Sequence, residues 1–161
     1  MVMLEKLLDM NNMKNFVYIQ NAGSEDYKKK LEKIHKLGID PFGREHIEDA
    51  RFEAKRILYE TPHWFAFENQ HKYPGTKHQF VIVAQKYAED FSVLPSKAYE
   101  NLFALQKQIC DEYGIKGGGF LFFSRFGDPA LSGATVYHLH AQLVVPEEGG
   151  RIATWFGKKQ N

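Results

Sequence analysis

With 161 residues, the chain is long enough for one compact domain that folds without a disulfide or a structural metal. Its 21 basic against 20 acidic side chains leave a net charge of +1, which excludes a footprint for extended nucleic acid but not a small phosphate-bearing ligand. A single cysteine, Cys110, excludes an intrachain disulfide and a multi-cysteine zinc site and favours a reducing compartment, and no apolar run reaches the ~18 residues of a membrane span.

The chain opens on MVMLEKLLDMNNMK, whose apolar residues are broken by Glu5, Lys6 and Asp9. It does not read as a secretion signal, so the expected setting is the cytoplasm, away from membranes. Ser24 ahead of Glu25 and Asp26 reads as an N-cap with acids in the first turn. The helix runs through Tyr27, Leu31, Ile34 and Leu37 and stops at Gly38, before Asp40-Pro41. A weaker helical stretch spans Arg44 to about Arg56. From Ile57 the period changes: Trp64 to Glu68 and Gln79 to Val83 are aromatic or β-branched runs around the turn signal Tyr73-Pro-Gly-Thr76, an antiparallel pair. Ser96 to Tyr113 is the strongest helix, with Tyr99, Leu102, Phe103, Leu105, Ile109 and Cys110 on one side and Gly114 at its end. Gly117-Gly118-Gly119 lacks the spacing and the Lys-Ser/Thr of a phosphate loop and reads as a connection to a strand, Phe120 to Arg125. A polar loop, Gly127 to Gly133, precedes a strand from about Thr135 to Val145, ended by Pro146. Strands that follow one another without a helical crossover pair antiparallel, so the class is α+β.

The last strand carries the chemistry. Side chains alternate along a strand, so His138, His140 and Gln142 share one face, about 6.6 Å apart, while Tyr137, Leu139, Ala141, Leu143 and Val145 take the core face. A neutral imidazole is a competent nucleophile near pH 7, and attack on phosphorus splits one hard displacement into two through a covalent intermediate. Gln142 donates two N–H bonds without charge, and the loop ending Ser132-Gly133-Ala134-Thr135 adds backbone N–H groups and a hydroxyl. The same row also describes two metal ligands, although Asp or Glu at short spacing is missing, or simply a solvated face.

His138-Leu-His140-Ala-Gln142-Leu-Val-Val-Pro146, with its lead-in Gly133-Ala-Thr-Val-Tyr-His, resembles the signature of the histidine-triad family, His-x-His-x-His/Gln followed by apolar residues. Ile57 to Phe67 and Pro74 to Val83 are similar to that family's first strands. The resemblance implies an antiparallel sheet of about five strands with packed helices, a domain over 57–161, and an N-terminal helical extension over 1–56 on the same domain. It implies a homodimer that binds a nucleotide or dinucleoside polyphosphate. His140 takes the position of the nucleophile that attacks the α-phosphorus, His138 that of the supporting first histidine, and Gln142 that of the group contacting the phosphoryl oxygens. Thr135 and Ser124 fall at or near positions that approach the phosphate, and Phe65 and Phe67 on the strand flanking base and ribose.

Two departures bear on the reaction. Glu68 stands where many hydrolase branches carry a histidine, and Gln142 replaces the third histidine. Glutamine cannot protonate a leaving group, so leaving groups that depart as stable anions are favoured over amines. The glutamine variant resembles the uridylyltransferase and dinucleoside-polyphosphate phosphorylase branches, with hydrolysis close behind; a non-catalytic nucleotide- or metal-binding module is the alternative. No metal or other cofactor is required by this reading. Arg125 is the cation best placed to approach a phosphate, together with backbone at Gly133. Lys72, Lys77 and His78 at the hairpin end read as a solvated turn, with contact to a polyphosphate tail as the alternative, His63 and His71 as edge or loop residues, and Cys110 as core.

Overall fold

The computed structural model describes residues 14–49, 54–115, 119–154 and 157. The opening segment before Lys14, Gly117 and Gly118 lie outside the described residues, as does the middle of the stretch expected to be helical after Arg44.

Helix α1 (Glu25–Leu37) forms where the cap and the stop signal place it. The Ser24 hydroxyl accepts the Tyr27 N–H, and Gly38 closes the helix at φ 61°, a left-handed conformation that glycine adopts without Cβ strain. Its inner side, Leu31 and Ile34, packs with Val17, Ala22 and Val136. Helix α2 is only Arg44–Ile47, because Lys55 donates back to the Ile47 carbonyl and turns the chain instead of extending it.

Five strands follow: β1 (Tyr59–Glu60), β2 (Trp64–Glu68), β3 (Thr76–Ala84), β4 (Leu121–Ser124) and β5 (His140–Pro146). They form one antiparallel sheet in the order β1-β2-β3-β5-β4, so β3 is central, β5 is an interior strand beside it, and β1 and β4 are the edges. Helix α3 (Ser96–Glu112) covers one face, packing Leu102, Leu105 and Ile109 against Trp64, Phe80, Ile82, Leu139 and Leu143. Tyr99 and Phe103, expected on the buried side of this helix, are instead 39% and 58% exposed. They lie at the margin of the stripe: the Tyr99 hydroxyl donates to the Phe91 carbonyl, and Phe103 meets Phe122 at the sheet edge. The opposite face is covered from the N-terminal side, by Phe42, Ile47 and Ile57 over Phe65, Phe67, Val81 and Val83.

The region before β5 differs from the expected long strand. Regular pairing with β3 begins only at His140, opposite Val83, because β3 ends one residue later at Ala84. Residues 135–137 pair instead with the extension: Tyr18 N–H donates to the Thr135 carbonyl, Tyr137 N–H to the Phe16 carbonyl, and Val17 bridges Val136. The loop expected to be irregular contains a short helix, α4 (Pro129–Ser132), capped by Asp128. Among the described residues no helix is long and apolar enough to cross a membrane.

Candidate active site

His140 and Gln142 lie on β5 opposite Val83 and Val81, and therefore on the face away from α3. His138 precedes the strand but turns the same way, towards the segment that carries Asp40 and Phe42. The three expected residues are thus brought to one side of the sheet.

The bonds of the two imidazoles fix their roles. The His138 carbonyl only accepts, so at 2.8 Å the His140 Nδ1 carries the proton, and Nε2 is left with the lone pair. Burial pushes the His140 pKa down to about 4, with His138 and Arg125 adding to the effect and the bond to the His138 carbonyl opposing it. The ring is therefore neutral at pH 7. Only 9% of His140 is exposed, and Phe42 stands edge-on over it with ring centroids 4.9 Å apart. The sequence reading needs this imidazole to reach a cleft; the structure instead packs it beside Phe42, and the cavity lined by Lys77, His78, Tyr113 and Pro146 does not include it.

His138, 2% exposed, is held at both nitrogens. Nε2 lies 2.8 Å from the Ala84 carbonyl and must donate; Nδ1 lies 2.6 Å from the Asp40 carboxylate. One proton therefore resides in the Asp40–His138 contact, whichever partner carries it. The other Asp40 oxygen accepts the Phe42 N–H at 3.0 Å, so a single carboxylate fixes both the first histidine and the residue that covers the second. Asp40 was legible in the sequence only as part of the Asp-Pro stop after α1. Gln79, also missed, donates from Nε2 to the Gln142 Oε1 at 2.7 Å.

The secondary candidates sit differently from expectation. Phe67 is 1% exposed and packs beneath Phe42, so it supports the cover and presents no face to a ligand; Phe65 is fully buried beside it. Ser124 lies opposite Ala141, and its hydroxyl donates to the His140 carbonyl at 2.5 Å, tying the edge strand to the backbone of His140. Thr135 Oγ1 is bonded to the Tyr27 hydroxyl of α1 at 2.9 Å. The Gly133 N–H closes the α4 turn onto Pro129, and a Cβ there would come within 2.3 Å of the Gly157 carbonyl. Gly133 thus provides a left-handed turn at φ 77° under the C-terminal chain rather than a free anion donor. Asn21 staples this loop to the extension, donating at 2.8 Å to both the Pro129 and Ala134 carbonyls. Arg125 donates to the Thr154 hydroxyl at 2.9 Å and reaches the Tyr73 hydroxyl at 3.5 Å, while remaining close enough to influence His140. Lys72 and His78 both approach Glu68 at the hairpin end, where His78 and Glu68 are half-buried and the His78 ring packs against Phe80 and Tyr113. Cys110 is buried in the core.

Among the described residues no group of three histidine, cysteine or acidic side chains is placed to hold a metal ion. His138 would have to give up one of its two bonds to ligate one.

No family model matches the sequence, and no curated protein is detectably similar to it. Similarity lies in the fold. A histidine-triad (HIT) family protein from Bacillus anthracis is 20% identical, with 73% of this chain and 83% of that one superposed at a TM-score of 0.53. A histidine triad nucleotide-binding protein from Candida albicans is 15% identical, covering 70% and 81% at a TM-score of 0.52. A zinc-bound histidine triad family protein from Mycobacterium smegmatis is 17% identical, covering 70% and 78% at a TM-score of 0.50. With its five-stranded antiparallel sheet and its His-x-His row at the start of the interior strand β5, the chain has the histidine-triad fold.

Proposed function

We propose that the protein is a nucleotide-processing enzyme in which His140 carries a nucleoside monophosphate covalently between a donor nucleotide and an acceptor. The observation that carries this reading is the His140 ring itself: Nδ1–H bonded to the His138 carbonyl, Nε2 basic, and the whole ring kept neutral by burial. In the first step Nε2 bonds to the α-phosphorus, and the bond to the bridging oxygen breaks, its electron pair leaving with the phosphate or nucleotide anion. The ring is then a cation, and the positive charge is shared through Nδ1–H with the His138 carbonyl. In the second step an acceptor oxygen attacks phosphorus and the electron pair returns to Nε2.

Gln142 bonds the phosphoryl oxygens without offering a proton, which favours anionic leaving groups and acceptors such as phosphate or a sugar phosphate; water resolves the same intermediate. Dinucleoside polyphosphates and nucleoside diphosphate derivatives are the matching substrates. Arg125 and Thr135 support the phosphate side, and Ser124 steadies the strand under the nucleophile. Phe42 must move for phosphorus to reach Nε2. The described part of the extension, 14–49, belongs with the domain that begins at 57, since Asp40 and Asn21 complete the site's framework.

A second copy of the chain fits the β4 edge, where Phe120, Leu121 and Phe126 are exposed beside Tyr99 and Phe103; sedimentation equilibrium tests for this homodimer. The buried, lone Cys110 accords with a cytoplasmic setting. The other reading is a non-catalytic nucleotide-binding module, favoured by the Phe42 cover over His140. Its metal-binding form is opposed by the two bonds of His138.

Incubation with α-labelled dinucleoside polyphosphates, with phosphate, sugar phosphates and water as competing acceptors, tests the proposal. The expected result is an acid-labile protein adduct, with His140→Ala lowering turnover by at least about 10³-fold. Nucleotide binding without adduct or turnover, unchanged in His140→Ala, selects the non-catalytic reading.

A further inference from the structure

Gln79 is a glutamine side chain at 1% exposure in the middle of β3. Burial of an amide is costly unless its groups are bonded, so its partners are informative. Its oxygen accepts the Tyr73 N–H at 2.8 Å, and its nitrogen donates to the Gln142 Oε1 at 2.7 Å. A backbone N–H can only donate. The direction of the whole chain is therefore set from its beginning: Tyr73 N–H to Gln79 oxygen, Gln79 nitrogen to Gln142 oxygen. The Gln142 carbonyl is thereby engaged, and its NH2 group is the end left to meet a ligand.

The start of this chain is itself held. Tyr73 precedes the Pro74-Gly75 turn, where Gly75 has φ 75° and a Cβ would come within 2.7 Å of the Arg151 carbonyl. The register of β3 shifts between Thr76 and His78, and from Gln79 onward it is regular, setting Gln79 opposite Val144 and Val81 opposite Gln142. Gln79 and Gln142 thus face the same way on adjacent strands, one pair out of step, a spacing that long side chains bridge.

We infer that Gln79 is a positioning residue for phosphoryl transfer: it locks the Gln142 amide so that two N–H donors, and never the carbonyl oxygen, face the oxygens of the phosphoryl group. An unanchored amide turns over readily, and in the reversed state its oxygen would oppose an anion. A dipole fixed before the ligand arrives needs no reorganisation when charge develops in the transition state. The anchor also makes the position selective, because a ligand group that needs an acceptor there finds only donors. The inference rests on the nucleotidyl-transfer reading of His140 and adds to it a residue that touches neither substrate nor nucleophile.

Two substitutions separate orientation from mere filling of the space. Gln79→Leu removes the anchor and leaves the Gln142 amide free to turn. Gln79→Glu offers only acceptors, so it draws the Gln142 NH2 inward and turns the carbonyl oxygen towards the ligand. The expected kcat loss is about 100-fold for Gln79→Glu and about 10-fold for Gln79→Leu, with KM moving by only about 3-fold in each. In a Gln142→Leu background, Gln79→Glu is expected to have no further effect, which a structural role would not reproduce.

Equal losses in the two Gln79 variants, or losses that add to that of Gln142→Leu, overturn the inference while leaving nucleotidyl transfer intact. A wild type without turnover overturns that reading and this role of Gln79 together. Should Gln79→Glu not fold, side-chain amide exchange in the wild type decides. Protected Gln79 NH2 protons, with Gln142 NH2 protons that exchange fast and shift on adding inorganic vanadate, support the inference; the reverse pattern overturns it.

Discussion

On the face beneath α3, the strands present Trp64, Ala66, Phe80, Ile82, Leu139, Ala141 and Leu143, and the helix answers with Leu102, Leu105 and Ile109. On the other face the same alternation yields Phe65, Phe67, Val81 and Val83 and then turns polar, with His138 and His140 against Asp40 and Phe42 and with Gln79 bonded to Gln142. The first face is held by contacts that tolerate some exchange of shape, as apolar cores do. The second is held by paired polar groups, each of which satisfies another. There, removing one member leaves its partner buried and unmatched. The contrast explains how one small sheet keeps a rigid frame on one side and a chemically specific, mutation-sensitive arrangement on the other.

The largest effect should follow from breaking the Asp40–His138 contact. Asp40→Ala leaves an imidazole fixed by one bond where two were satisfied, and is expected to cost about 3–5 kcal/mol, read from chemical denaturation. It should also remove adduct formation, since the Asp40 carboxylate holds Phe42 as well. A loss below about 1 kcal/mol would place this contact with exposed ion pairs and erase the distinction between the two faces.

Between pH 6.5 and about 4, acid should act on the polar face through His140. The His140 pKa is lowered from its usual 6.5 to about 4, so between those values the unfolded chain takes up a proton that the folded protein refuses. Stability contributed by the neutral buried ring is complete above about pH 6.5 and is lost progressively as the pH falls towards 4, up to about 3 kcal/mol. Denaturation midpoints measured from pH 8 to pH 4 should therefore fall for the wild type, with a smaller slope in His140→Asn. If His140 is the nucleophile as proposed, adduct formation should stay level from pH 8 to about pH 5, because its ring is already unprotonated there. A rate that drops through pH 6.5 would mean that the ring is solvated.

What the sequence disclosed was what neighbouring residues decide. The Ser24 cap and the Gly38 stop are local, and α1 forms between them. The hairpin of β2 and β3 follows from alternation around Pro74-Gly75. The row of His138, His140 and Gln142 is visible because a two-residue period needs no tertiary knowledge. The partners of that row were hidden for the opposite reason: Asp40 lies 98 positions from His138, and Gln79 lies 63 from Gln142. Nothing local distinguishes Asp40 from any aspartate before a proline, or Gln79 from an ordinary polar residue after a turn. The same limit applies to α3, where periodicity identifies an apolar stripe but cannot say that the sheet stops short of Tyr99 and Phe103. It applies also to the start of β5, set by where β3 ends rather than by residues 135–139 themselves.

The smallest expected effect concerns Phe42, the point at which the two kinds of face meet. Its ring packs on Phe67 with centroids 6.0 Å apart and stands over His140, while its backbone is held by Asp40. Because the ring is only partly buried, Phe42→Ala should cost about 1–2 kcal/mol, less than a full core truncation. Opening the cover should also bring water to His140, move its pKa back towards 6.5, and flatten the acid loss of stability seen in the wild type. Turnover is expected to shift by only about 2- to 5-fold, and upward in kcat/KM if movement of the cover limits access. A Phe42→Ala protein that keeps the full acid sensitivity would show that the strands, and not the N-terminal segment, shield the imidazole. The polar face would then be closed from below in the same manner as the apolar one.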